Sequence, residues 1–213
     1  MTLQQKTTIT VIIAEDHEMT RKGIHAFLDQ APDIHVIGEA EDGDQVKELV
    51  ASLRPRILLL DLIMPKLSPA ELEKWVRTNY PETVTLVLTA HDRDAYLSNM
   101  LEAGVSGYLD KKLRAGQLIS AIRRAACGEF IFDKEQLTRA RRWREDISRK
   151  WESLTERERR VLQMLTEGAK NKAISEVLGI TVNTVEKHLE NIYRKLGVKS
   201  RSEAIHWWIE KNT

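Results

Sequence analysis

Polar side chains that could bind a metal ion and a phosphoryl group follow four separate apolar runs of the chain. Two carboxylates, Glu15 and Asp16, follow the first run, and Asp61 follows the run ILLL. Thr89 and Lys111 follow two later runs. Carboxylate oxygens suit Mg²⁺, whereas a hydroxyl and an ammonium can bind phosphoryl oxygens. These residue types predict a site at which Asp61 accepts phosphate as an acyl phosphate.

The elements that must position these side chains follow a repeated β-α pattern. Short apolar runs alternate five times with amphipathic stretches, which indicates a parallel sheet covered by helices. Ligands bind beyond the carboxyl ends of such strands. The strands are predicted at 9–14, 34–38, 57–60, 84–88 and 107–109. The helices are predicted at 19–30, 44–53, 69–79, 94–103 and 115–126.

Residues 9–127 resemble the receiver domains of two-component response regulators. The resemblance is carried by Glu15-Asp16, by LDLIMP at 60–65, by Thr89-Ala90 and by GYLDK at 107–111. It implies a flavodoxin-like α/β doubly wound sheet of five parallel strands in the order 2-1-3-4-5, a phosphodonor histidine kinase and bound Mg²⁺. The metal ligands implied by the resemblance are Glu15, Asp16, Asp61 and the backbone carbonyl of Ile63.

Four positions bear on how such a site would switch. Thr89 and Tyr108 resemble the receiver pair that couples phosphorylation to a change of surface, and the alternative is that Tyr108 is an edge residue with its hydroxyl in water. The chain departs from the receiver pattern at Pro69, where glycine is usual, and at Lys112, where an acid is usual. Neither departure removes a predicted site residue.

Residues 128–151 are predicted to form one arginine-rich linker helix. Apolar residues recur there at spacings of three and four, which predicts a single buried stripe. The stripe comprises Leu137, Ala140, Trp143, Ile147 and Trp151. Two interpretations stay open: a connecting helix that packs on one domain, or an element for dimerisation or for contact with the DNA backbone.

Residues 152–213 are predicted to be a four-helix, all-α domain. Thr155 and Glu158 form a capping box for the first helix, whereas Asn171 and Thr181 are predicted to cap the second and third. The third helix has an apolar stripe that is expected to be core: Val182, Val185, Leu189, Ile192 and Leu196. Preceded by a short helix and a turn, it has the pattern of a recognition helix for the major groove of DNA.

The C-terminal motifs resemble the helix-turn-helix domain of LuxR-type regulators, from about Leu154 to Ile205. Joined to a receiver, this is similar to the NarL/FixJ family, which implies repeated DNA sites bound by a homodimer. Glu186 and Glu190 replace residues that are often basic, although Glu190 could instead pair with Arg194 along the helix. The predicted DNA-binding residues are Asn171, Lys172, Thr181, Asn183, Thr184, Glu186, Lys187, His188, Glu190 and Arg194.

The amino-acid composition argues against several other classes of protein. Apolar residues make up 42% and charged residues 31% of 213 residues, as in a globular protein of two domains, with an acidic excess before residue 128 and a basic excess after it. No apolar run suits a membrane helix or signal peptide, so a cytoplasmic location is expected. The single Cys127 is expected to pack, not to form a disulfide.

The interpretation that these patterns favour is a transcription factor switched by phosphorylation, whose only chemistry is self-phosphorylation and slow autohydrolysis. One alternative is a DNA-binding regulator whose receiver is an interaction or dimerisation module that does not depend on phosphate. A Mg²⁺-dependent phosphohydrolase is less well supported, because Ile63 supplies no second carboxylate two residues after Asp61.

Overall fold

The computed structural model describes residues 8–66 and 68–212, apart from the side chain of Asn212. The chain divides into two compact units, Met1–Ala140 and Arg141–Thr213. The first unit contains one five-stranded sheet in the order β2-β1-β3-β4-β5, with every neighbouring pair parallel, which confirms the predicted fold. Its strands are β1 (Ile9–Ala14), β2 (Ile34–Ala40), β3 (Ile57–Leu60), β4 (Val84–Thr89) and β5 (Gly107–Asp110).

Helices cover both faces of this sheet, so its central strands are buried on both sides. All four residues of β3 are buried, and alternate residues of each strand enter opposite core clusters. In β1, Ile12 joins one cluster and Val11 and Ile13 join the other. The covering helices are α1 (Glu18–Leu28), α2 (Gly43–Leu53), α3 (Pro69–Asn79), α4 (Asp94–Ala103) and α5 (Ala115–Ala126).

Backbone hydrogen bonds extend the strand pairing past the strand ends and gather the predicted site residues. The Asp61 amide donates to the Ala14 carbonyl at 2.9 Å, and the Lys111 amide donates to the Thr89 carbonyl at 3.0 Å. Because the strands are parallel, their carboxyl ends lie at one edge of the sheet. Strand β2 extends two residues beyond the prediction, to Ala40, because its last residues continue to pair with β1.

The linker helix differs from its prediction. Helix α6 spans Lys134–Ser153, whereas residues 128–133 are not helical and place Ile131 in a bridge with Gly107. Ala140 is buried in the core of the first unit and Ile147 in that of the second, so the stripe does not pack on one unit alone. Leu137 is 45% exposed, so its place in the buried stripe was wrong.

The second unit contains α7 (Glu156–Thr166), α8 (Asn171–Leu178), α9 (Val182–Leu196) and α10 (Arg201–Asn212). The Thr155–Glu158 capping box and the Thr181 cap of α9 are present as predicted. Lys170 occupies the N-cap position of α8 without a side-chain hydrogen bond, and Asn171 is the first helical residue, so Asn171 was wrongly assigned as the cap.

Two further expectations about burial were wrong. Val182, the first residue of α9, is 40% exposed, whereas Val185 in the same turn is buried in the core. Cys127 is exposed at the end of α5. No helix among the described residues is both long and apolar enough to cross a membrane.

Candidate functional site

Lys111 joins two of the predicted carboxylates at the carboxyl edge of the sheet. Its ammonium lies 2.8 Å from Asp61 Oδ2 and 2.5 Å from Glu15 Oε2. Both carboxylates are buried, whereas Lys111 retains limited contact with solvent. Burial acts to lower the pKa of Lys111, but hydrogen bonds to Asp61 and Glu15 outweigh burial and raise it. The second oxygen of Asp61, Oδ1, accepts a hydrogen bond from the Leu62 amide at 2.7 Å.

The loop after β1 adds further ligand atoms to this edge. Glu15, Asp16 and His17 each place one possible metal-ligand atom within 4.8 Å of the others. The His17 ring Nδ1 lies 3.0 Å from Asp16 Oδ1, and its amide donates to Glu15 Oε1 at 3.3 Å. Glu15 therefore belongs to two groups of side chains, the contact with Lys111 that also includes Asp61 and the cluster with Asp16 and His17, and carboxylate oxygens of this kind suit a divalent cation. Sequence reasoning did not single out His17.

Arg21 is a second residue that the sequence analysis missed. It is buried on α1 and donates to the Glu15 carbonyl at 2.6 Å. Its guanidinium also pairs with Glu39 at 3.1 Å and with Glu41 at 2.6 Å. Arg21 thus holds the backbone that carries the first carboxylate. The sequence feature that could have identified Arg21 is its position three residues before Ile24, on the apolar face of the helix.

Thr89 and Tyr108 are both buried and are linked through His91. The His91 amide donates to Thr89 Oγ1 at 3.2 Å, and the Tyr108 hydroxyl donates to the His91 carbonyl at 2.7 Å. Burial raises the pKa of the Tyr108 hydroxyl. The alternative in which Tyr108 exposes its hydroxyl to water is therefore wrong for this structure.

The remaining receiver positions lie around the loop after β3 and at the end of β5. Ile63 has an exposed side chain, which is compatible with a role for its backbone alone. Pro69 is the first residue of α3, where its missing N–H costs no helical hydrogen bond. Lys112 is exposed, and its amide donates to Asp110 Oδ1 at 2.7 Å. Neither departure displaces the ammonium of Lys111 from Asp61.

The second unit presents most of the predicted DNA-binding side chains from one helix and its cap. Val185, Leu189, Ile192 and Leu196 bury one face of α9 in the core. Other positions of α9 and its cap are exposed: Thr181, Asn183, Glu186, Lys187, Glu190 and Arg194. Thr184 and His188 are half-buried. A helix with one buried face and one polar, exposed face is suited to enter a groove of DNA.

Several side chains that were predicted to contact DNA form hydrogen bonds within this unit. The hydroxyls of Thr181 and Thr184 lie 2.8 Å apart at the cap of α9. In the described part of the chain, Arg194 donates to Asn191 at 2.8 Å, so the suggested pairing of Arg194 with Glu190 is wrong. At the start of α8, Lys172 is exposed.

A partly buried ion pair joins α9 to α7. Lys195 lies 2.6 Å from Glu158 Oε2, and the same carboxylate accepts from the Thr155 amide at 2.7 Å. Burial acts to raise the pKa of Glu158, but the hydrogen bonds of Lys195 and Thr155 lower it overall. The capping box thereby orients the helix that presents the exposed polar face.

A receiver sheet with these site residues and a helix-turn-helix unit define a DNA-binding response regulator. Residues 11–123 match the family described as response regulator receiver domain, and residues 152–208 match the bacterial regulatory proteins of the luxR family. The chain belongs to the response regulators with a LuxR-type DNA-binding domain, the NarL/FixJ type. It is 33% identical to response regulator protein VraR of Staphylococcus aureus, over 96% of this chain and 98% of that protein.

Solved structures agree with this membership. A complex of the two-component response regulator RcsB with DNA has a TM-score of 0.65 and 26% identity, covering 95% of this chain and 98% of that one. The response regulator ChrA of a heme-sensing two-component system has a TM-score of 0.58 and 29% identity, covering 97% of this chain and 98% of that one. The shared architecture therefore extends over both units.

Proposed function

We propose that phosphorylation of Asp61 by a sensor histidine kinase switches sequence-specific DNA binding by the C-terminal unit. The observation that carries this proposal is the contact of Lys111 with Asp61 and Glu15 at the carboxyl edge of the sheet. An ammonium fixed beside a nucleophilic carboxylate can bind a phosphoryl oxygen as the acyl phosphate forms.

On the side of the protein, the proposed transfer uses the side chains of this edge. An Asp61 oxygen attacks the phosphorus of a phosphohistidine, so a P–O bond forms while the P–N bond breaks and the imidazole leaves. Lys111 binds one phosphoryl oxygen, and the Thr89 hydroxyl donates to another. Autohydrolysis reverses the state, since water attacks phosphorus and releases phosphate with the Asp61 carboxylate.

Mg²⁺ is the proposed cofactor, because the donor set is made of hard oxygen ligands with an excess of negative charge. Asp16, Asp61 and the Ile63 carbonyl would hold it, with Glu15 as a ligand directly or through water. When bound, the ion neutralises part of the charge on the phosphoryl group. Arg21 keeps the loop of Glu15 and Asp16 in place through the Glu15 carbonyl.

Double-stranded DNA is the proposed partner of α9 and of the cap regions of α8 and α9. The RcsB complex, which shares the architecture, is described as bound to DNA. Lys187 would contact phosphate, whereas Glu186 and Glu190 could accept from cytosine amino groups. The phosphorylated form is proposed to act as a homodimer. The full proposed set is Asn171, Lys172, Thr181, Asn183, Thr184, Glu186, Lys187, His188, Glu190 and Arg194.

The test is selection of genomic DNA fragments by wild type and Asp61→Asn, with and without acetyl phosphate and Mg²⁺. We expect phosphate incorporation and enrichment of a discrete repeat in the wild type alone. Identical enrichment in every condition would leave a DNA-binding regulator whose receiver is an interaction module. Substantial turnover of a free phosphoester would instead indicate a phosphohydrolase.

A further inference from the structure

One arginine binds the first turns of α6 to the residues that follow β4. The Arg139 guanidinium makes two hydrogen bonds of 2.9 Å to the two carboxylate oxygens of Asp92. It also donates to Asp94 Oδ1 at 2.8 Å. We call these three residues, Arg139, Asp92 and Asp94, the Arg139 clamp. The clamp fastens α6 to the segment that joins β4 to α4.

Two more contacts fix the same part of α6. Gln136 Nε2 donates to the Tyr108 carbonyl on β5 at 2.9 Å, and Ala140 is buried in the core cluster that contains the Tyr108 ring. The first two turns of the helix thus touch β5, the β4–α4 segment or the core beneath them. Such a bound segment has little freedom to move while these contacts last.

The clamp is one residue from the groups that would sense the phosphoryl group. His91 precedes Asp92, and its amide donates to Thr89 while its carbonyl accepts from Tyr108. If the Thr89 side chain turns toward a phosphoryl group in order to donate to it, the oxygen that accepts from the His91 amide moves with it. A shift of the His91 backbone would in turn move Asp92, the next residue, relative to Arg139.

We propose that the Arg139 clamp transmits the phosphorylation state of Asp61 to helix α6, which it holds in the unphosphorylated chain and loosens when Asp61 is phosphorylated. This inference rests on the proposed function, because it assumes that Asp61 is the phosphoacceptor. Helix α6 runs without interruption to Ser153, so loosening its first turns alters the tether of the DNA-binding unit. The clamp is partly exposed, so it is weak enough to be reversed.

Hydrogen–deuterium exchange of the full chain tests the clamp, with Mg²⁺ and beryllofluoride as the phosphoryl mimic. In the wild type we expect beryllofluoride to protect the peptide that contains Asp61 and to speed exchange at 134–140 by roughly threefold. In Arg139→Ala, exchange at 134–140 should already be about fivefold faster without the mimic and should change no further. Arg142→Ala, an exposed arginine of the same helix, should behave as wild type.

A second variant approaches the clamp from its other side. Asp92→Asn with Asp94→Asn should reproduce the Arg139→Ala exchange pattern, and adding Arg139→Ala to it should have little further effect. The inference is overturned if Asp61 is protected but exchange at 134–140 is unchanged, or if Arg139→Ala responds as the wild type does. Absence of protection at Asp61 in the wild type would overturn the proposed function and the inference with it.

Discussion

The ammonium of Lys111 lies 2.8 Å from Asp61 Oδ2, and the same nitrogen lies 2.5 Å from Glu15 Oε2. One cation therefore separates two buried carboxylates that would otherwise face each other. Removing one member of a buried charged group leaves the remaining charges uncompensated, which costs more than the attraction contributed.

We expect Lys111→Met to lower the free energy of unfolding by about 2 kcal/mol at pH 7, less than for a fully buried pair. Urea denaturation measures the change. Lys112→Met is the matched control, because its side chain is exposed and should cost almost nothing. Equal stability of the two variants would contradict the role of Lys111 as counter-ion. Added Mg²⁺ should recover part of the loss, since a divalent cation can replace the missing charge.

Glu73 on α3 should make stability depend on pH. Burial raises its pKa from 4.5 to about 7, although the nearby Thr85 hydroxyl and the charge of Arg77 act in the opposite direction. The folded chain therefore binds this proton more tightly than the unfolded chain. The contribution of Glu73 is most favourable below about pH 4.5 and is lost as pH rises to about 7.

Substitution of Glu73 isolates this effect. Between pH 5 and pH 8, Glu73→Gln should remove a fall in unfolding free energy on the order of 3 kcal/mol. Urea unfolding at several pH values measures it. Glu71→Gln, on the exposed face of the same helix, should keep the wild-type pH profile. A Glu73→Gln profile parallel to the wild type would show that this carboxyl titrates normally.

The Tyr108 hydroxyl should be needed for the position of His91. Tyr108→Phe removes the donor to the His91 carbonyl, and the lost hydrogen bond should cost about 1 kcal/mol in unfolding free energy. NMR should show a chemical-shift change at the His91 amide larger than that caused by Tyr96→Phe in the same core cluster. An unmoved His91 resonance would argue against this link.

Lys187 should contribute to DNA affinity through charge. Lys187→Ala should weaken binding to specific and non-specific DNA alike and reduce the slope of log affinity against log salt by about 1. Fluorescence anisotropy at several salt concentrations measures both. Lys187→Arg keeps the charge and should keep the slope. A loss confined to one DNA sequence would instead assign Lys187 to base recognition.

Most of the fold could be predicted from local patterns. The ILLL run of β3 indicated a strand buried on both faces, and the limits of α3, α4 and α5 agree with the prediction. The predictions that were wrong concern positions whose structure depends on contacts between residues far apart in sequence. Ile131 bridges Gly107 outside any helix, so α6 starts only at Lys134, and Val182 at the first position of α9 is exposed although Val185 in the same turn is buried.

The sequence by itself determined which chemical groups end the strands, because parallel β-α units place the residues after Ala14, Leu60 and Leu88 at one edge. It also determined the exposed face of α9, since an apolar period leaves the opposite face polar. Only the tertiary structure decided the partners: that Lys111 contacts both Glu15 and Asp61, and that Arg139 binds Asp92 and Asp94. The partners in these pairs are far apart in sequence, so the periodicity of apolar residues cannot predict their contact. The packing of the sheet and its helices brings them together.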